Sequence, residues 1–142
     1  MNTRLIIAGV AAFLVSFLFS FVAHGMLLHA DYAQLPHLMR TDQDAMGYLP
    51  FMLLSHLIKG FAFAWVFAQG LSGGTWISQG LQYGIAMALL ITVPLYLVYY
   101  AVQPMPGSLV AKQICLDSIG TILMALAVAF IYRKGSTVEA AI

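Results

Sequence analysis

Apolar residues along this chain run in long unbroken stretches, broken by short polar connections. A helix needs roughly 20 apolar residues to cross a hydrocarbon core of about 30 Å. Four stretches meet that length: Leu5 to Leu28, Pro50 to Leu71, Leu81 to Tyr100 and Ser108 to Ile131. A membrane β-barrel would show segments of about 10 residues in strict alternation, and LIIAGVAAFLVSFLFSFVA does not alternate. The pattern predicts an all-α integral membrane protein, a four-transmembrane-helix antiparallel bundle forming a single domain over residues 1–142.

The polar positions predict how the spans are joined. The one sizeable connection runs from Ala30 to Leu49 and holds Asp31, Pro36, His37, Arg40, Asp42 and Asp44. Thr41 with Asp44 resembles a helix-capping box, so a short interfacial segment is expected between the first and second spans. Pro50 suits the first turn of the second span, where its missing N–H costs nothing. GLSGGTWISQG and the stretch around Gln103, Pro104, Pro106 and Gly107 read as hairpin turns. Pro94 lies inside the third span and predicts a kink near Thr92 to Leu95.

In lipid, helices associate by close backbone approach, so small residues at every fourth position mark packing faces. Each span carries such a stripe: Ala8, Ala12, Ser16 and Ser20; Gly60, Ala64 and Ala68; Gly80, Gly84, Ala88 and Thr92; Thr121, Ala125 and Ala129. In the same registers stand His24, His56, Tyr96 and Asp117, with Gln113 one step beyond Asp117. The intramembrane polar groups therefore continue the packing faces instead of pointing at lipid.

Composition narrows the function classes. Of 142 residues 62% are hydrophobic and 8% charged, with a mean hydropathy of +0.92, which excludes a soluble globule and a disordered tail. A net charge of +1 without a basic run gives no handle for nucleic acid. Cys115 is the only cysteine, which excludes an internal disulfide and a C-x-x-C thiol oxidoreductase. Neither a G-x-S-x-G elbow nor a phosphate-cradling loop is present, and Ser16 and Ser20 fit packing rather than nucleophilic catalysis. The four-span layout superficially resembles the small multidrug-resistance exporters, but the first span lacks the acidic residue on which their coupling depends, and the sole glutamate, Glu139, lies in the tail.

Arg4 precedes the first span, and Arg133 and Lys134 follow the fourth. With an even number of spans this charge bias puts both termini in the cytoplasm, and the short chain fits the inner membrane of a bacterium. Trp76 and Tyr132 suit the inner interface, and Tyr32, Tyr48, Tyr99 and Tyr100 the outer one.

Depths counted from the presumed outer ends place His24 and His56 at about 9 Å, and Lys59 and Asp117 at about 13.5 Å. Ionisable residues within a membrane are costly and find partners. Equal depth makes Lys59 and Asp117 the expected ion pair, with Lys112 and Gln113 reaching toward the interface. Equal depth of His24 and His56 is also the arrangement that axial ligation of haem b, or a quinone site, would use. No helical spacing of ligands supports a zinc site.

Three functions follow as expectations. The first is a non-enzymatic accessory or self-associating subunit of a membrane complex, in contact with the bilayer and with copies of itself or other subunits. The second is a haem b or quinone electron-transfer protein using His24 and His56. The third is a proton-coupled or small-solute transporter using Lys59 and Asp117. The candidate ligand-binding residues are His24, His56, Lys59, Tyr96, Gln113 and Asp117.

Overall fold

Without water in a hydrocarbon core, backbone groups must bond within their own segment, and an α-helix is the way a lone apolar stretch does so. The computed structural model describes residues 3–70 and 73–133 of the chain. Four of its helices are long and apolar enough to cross a membrane: α1 (Thr3–Leu27), α4 (Leu49–Gln69), α5 (Trp76–Val102) and α6 (Gly107–Tyr132). Between α1 and α4 lie two short helices, α2 (His29–Ala33) and α3 (Asp42–Met46). Leu71, Lys134 and Glu139, which figured in the limits and charge pattern read from sequence, fall outside the described residues.

Local chemistry sets the helix limits. Thr41 Oγ1 accepts from the Asp44 amide at 3.3 Å and starts α3, as the capping pattern predicts. Thr75 Oγ1 accepts from the Ser78 amide at 3.2 Å and starts α5 at Trp76, ahead of the Leu81 expected from hydropathy. A hydrophobicity window cannot see that start, because Ser78 and Gln79 are polar but helical. Pro50 sits in the first turn of α4.

Two helices widen locally to π-type turns. In α5 the wide stretch is Ala88–Thr92, one turn before the position expected for the kink. Pro94 has no N–H, and its ring crowds the carbonyl of Leu90, so the ladder opens on the N-terminal side of the proline. In α1 the wide stretch is Phe21–Leu27, where the Leu28 amide reaches back to the Ala23 carbonyl at 2.9 Å.

The small-residue stripes lie at the helix contacts. A Cβ on Gly60 would stand 2.6 Å from the Phe13 backbone nitrogen and 2.9 Å from the Gly9 carbonyl oxygen, so α1 and α4 meet backbone to backbone. A Cβ on Gly84 would stand 2.8 Å from Ile122 Cα, which places α5 equally close to α6. Around these crossings Ala8, Ala12, Ala64, Met124, Ala125 and Val128 are fully buried. Bulky residues such as Leu18, Ile58, Leu90 and Val102 cover the outside.

The segment between α1 and α4 folds back over one end of the bundle. Leu28 and Leu35 pack with Leu109 of α6, and Lys112 of α6 pairs with Asp31 of α2 at 2.9 Å. Arg40 pairs with Asp44 at 2.7 Å, which raises the Arg40 guanidinium above its ordinary pKa, and stacks 3.7 Å over Tyr48. We refer to this end as the crossover end.

Helices α4 and α5 touch where Tyr83 donates to the Phe63 carbonyl at 2.8 Å and packs edge-on against Phe63 and Phe67. Toward the crossover end their facing residues leave a crevice of about 300 Å³, lined almost wholly by apolar groups of Ala62, Phe63, Val66, Met87 and Ile91.

Candidate functional site: a polar chamber inside the bundle

Beside that crevice lies a second cavity, of about 200 Å³, to which all four long helices contribute. Helix α1 supplies Ser16, Ser20 and His24; α4 supplies His56 and Lys59; α5 supplies Tyr96; α6 supplies Asp117, Thr121 and Met124. Five of the six candidate residues line it. Gln113, the sixth, lies buried nearer the crossover end at 3% exposure.

Asp117 is the hub. Its Oδ1 accepts from His24 Nε2 at 2.9 Å, and its Oδ2 accepts from the Tyr96 hydroxyl. His24 Nδ1 lies 2.6 Å from the Tyr32 hydroxyl, and that hydroxyl accepts from Gln113 Nε2 at 3.1 Å. One turn along α6 from Asp117, the Thr121 hydroxyl donates to the Asp117 carbonyl at 2.8 Å, and Thr92 lies 3.3 Å from Thr121.

The directions of these bonds follow from donor counting. An ionised carboxylate only accepts, so His24 Nε2 carries the proton. In neutral His24 the other nitrogen is then an acceptor, so Tyr32 donates to it while accepting from Gln113. Burial holds the Tyr32 phenol above its ordinary pKa. The Gln113 hydrogen bond works against that rise, and the carboxylates of Asp117 and Asp31 add to it, so Tyr32 stays a donor. With His24 neutral, the chain Gln113 to Tyr32 to His24 to Asp117 runs in one direction from the crossover end into the chamber. Gln113 Oε1 is buried and has no partner among the described residues.

The other side of the chamber is not engaged in this way. His56 Nδ1 bonds Ser16 Oγ at 2.6 Å, while its Nε2 bonds no described residue. Lys59 is the middle residue of its 21-residue helix. It is exposed to the cavities it borders and makes no hydrogen bond or ion pair with any described residue.

No family model, curated protein or solved structure matches this chain.

Two expected pairings are corrected by this geometry. Asp117 pairs with His24 and not with Lys59. Nor do His24 and His56 face each other: His56 meets Ser16, which precedes His24 by eight residues, about 12 Å along a helix. Equal depth from the helix ends holds only where the ends are level. The Gly60 crossing against Gly9 and Phe13 sets α4 lower, away from the crossover end. Bis-histidine haem does not fit this arrangement, because both nitrogens of His24 are bonded to protein and the chamber is small. No group of three or more His, Cys, Asp or Glu side chains able to hold a metal lies among the described residues.

Sequence reading did not single out Tyr32, Thr92 or Thr121 as part of the site. Tyr32 joins only because the crossover folds back, which no local pattern reports. The two threonines stood in the small-residue stripes, whose registers lead straight to Tyr96 and Asp117.

Proposed function

We propose that this chain is a small non-enzymatic ligand-binding protein of a bacterial inner membrane, an accessory component rather than a catalyst. In this reading its four helices form an antiparallel bundle with both termini in the cytoplasm and the crossover end outward. The opposed registers support the antiparallel arrangement: Gly60 crosses Gly9 and Phe13, His24 meets Asp117, and Gly84 crosses Ile122. Arg4 and Arg133, both at the end away from the crossover, support the orientation.

One observation carries the binding role. His24, Tyr96, Asp117 and Thr121 satisfy one another, whereas His56 Nε2 and the Lys59 ammonium, on the opposite wall, are left with unused hydrogen-bonding capacity. A charged group in mid-span is costly unless something pairs with it, and a ligand bearing acceptor oxygens does so. Native mass spectrometry of the protein released from membranes in mild detergent tests this. A small molecule bound one per chain, and lost on His56→Ala, supports it. A bare chain mass, with no oxyanion or carbonyl compound raising the melting temperature, sinks it.

A second reading, proton-coupled transport, draws support from the directional chain between the crossover end and the chamber. It predicts pH-driven solute flux in liposomes that Asp117→Asn abolishes in a folded variant.

A further inference from the structure

The polar chamber and the apolar crevice share a wall. Lys59 and Thr121 line both. The chamber alone, at about 200 Å³, falls below the roughly 300–1,000 Å³ of ordinary small-molecule sites, and the crevice alone offers almost no polar group. Only an occupant of both volumes uses the site fully, with a polar head and an apolar remainder.

Resting on the ligand-binding reading above, we infer that the ligand is a single-chain amphiphile with a carboxylate head, such as a long-chain fatty acid. Its head lies at Lys59 and His56, and its chain lies in the crevice between α4 and α5. Charge selects the head. Both Asp117 oxygens are already hydrogen-bonded, so the chamber offers little further acceptor capacity to a cationic head. Among the described residues Lys59 makes no direct hydrogen bond or ion pair, and its ammonium stands where the two volumes join. If Ser16 donates to His56 Nδ1, then His56 Nε2–H is a second donor on the same wall. A carboxylate has oxygens enough for both.

Shape selects the tail. The crevice is walled by Ala62, Phe63 and Val66 on one helix and Met87 and Ile91 on the other. Ala62, Val66 and Ile91 are also exposed on the outside of the bundle, where lipid chains lie in a membrane. A chain there leaves the site sideways into the bilayer and needs no path through water. Unlike a pore, the site then loads from the membrane itself.

The test uses the full chain in phosphatidylcholine nanodiscs and a palmitate bearing a diazirine on its chain. Irradiation should label crevice residues of α4 and α5. Unlabelled palmitate should compete at least 10-fold better than hexadecanol, and acetate should not compete. Lys59→Met should weaken labelling at least 10-fold while Lys59→Arg retains it, both variants keeping the wild-type circular dichroism. Ala62→Phe, which fills the crevice and leaves the chamber intact, should also abolish labelling. Equal competition by hexadecanol, stronger competition by decylubiquinone, or no loss in Lys59→Met overturns the carboxylate head. Displacement of a chamber-bound anion by acetate, with no labelling of the crevice, overturns the amphiphile and leaves the ligand-binding reading standing. Absence of labelling together with a bare native mass removes both.

Discussion

His24 and Asp117, 93 positions apart in the chain, meet at 2.9 Å between α1 and α6, and each is bonded on its far side as well. The pair is partly buried, each side chain being 24% exposed, so it is a junction between two helices and not a surface ion pair. Interhelical hydrogen bonds in membrane proteins average about 0.6 kcal/mol and reach about 1.7. A double-mutant cycle of His24→Ala and Asp117→Asn should therefore return a coupling of about 1 kcal/mol in detergent unfolding. Coupling indistinguishable from zero would mean that the two side chains do not meet in the folded protein.

Lys59 is expected to behave in the opposite sense. Removing an unpaired charge from mid-span relieves a cost of about 2.5–3.5 kcal/mol on insertion scales. Lys59→Met alone should raise the melting temperature of ligand-free protein, and adding Asp117→Asn should lower it again. If the double variant is instead more stable than Lys59→Met alone, the two residues form the ion pair that equal depth suggested.

The contrast between these residues shows how far the sequence could be read. The number of long apolar helices, their approximate limits and their packing stripes come from one-dimensional patterns, because span length and close approach leave direct traces in residue size and hydropathy. Which residues meet across helices depends on how far one helix slides against its neighbour. Gly60 against Gly9 fixes that slide for α4, and the wide turn over Phe21–Leu27 re-aims His24. One extra residue in a helical turn rotates the side chains beyond it by about 100°, and no hydropathy pattern announces it. That five of the six candidate residues border one cavity follows from their shared registers, while their pairing does not.

The glycine crossings separate space from composition. Gly60→Ala must push a methyl group into the Phe13 backbone, so α1 and α4 have to part, and overpacking of this kind costs about 1–3 kcal/mol. Gly70→Ala meets nothing within 4 Å and should change stability by less than about 0.5 kcal/mol. Thermal unfolding of the two variants side by side checks this. Equal effects would show that α1 and α4 do not cross at Gly60.

The direction of the hydrogen-bond chain gives the last prediction. Tyr32 is bonded on both sides, to Gln113 and to His24, whereas Gln113 uses only its Nε2. Tyr32→Phe leaves the buried Gln113 amide and the partly buried His24 Nδ1 without their partner, and a buried unsatisfied group costs about 1–3 kcal/mol. Gln113→Leu removes its own unpaired oxygen along with the donor, and deprives Tyr32 of one acceptor contact only, so its cost should stay near about 1 kcal/mol. The tautomer of His24 distinguishes the two further. With Tyr32 donating to Nδ1 and Asp117 accepting from Nε2–H, nitrogen-15 spectra of neutral His24 should show its proton on Nε2 in wild type and in Gln113→Leu. In Tyr32→Phe the donor to Nδ1 is gone and the stability loss should be the larger. Were Gln113→Leu the more damaging, or the His24 proton found on Nδ1, the chain would run the other way, with a protonated Asp117 donating to His24 Nε2, His24 Nδ1–H donating to Tyr32, and Tyr32 donating to Gln113 Oε1.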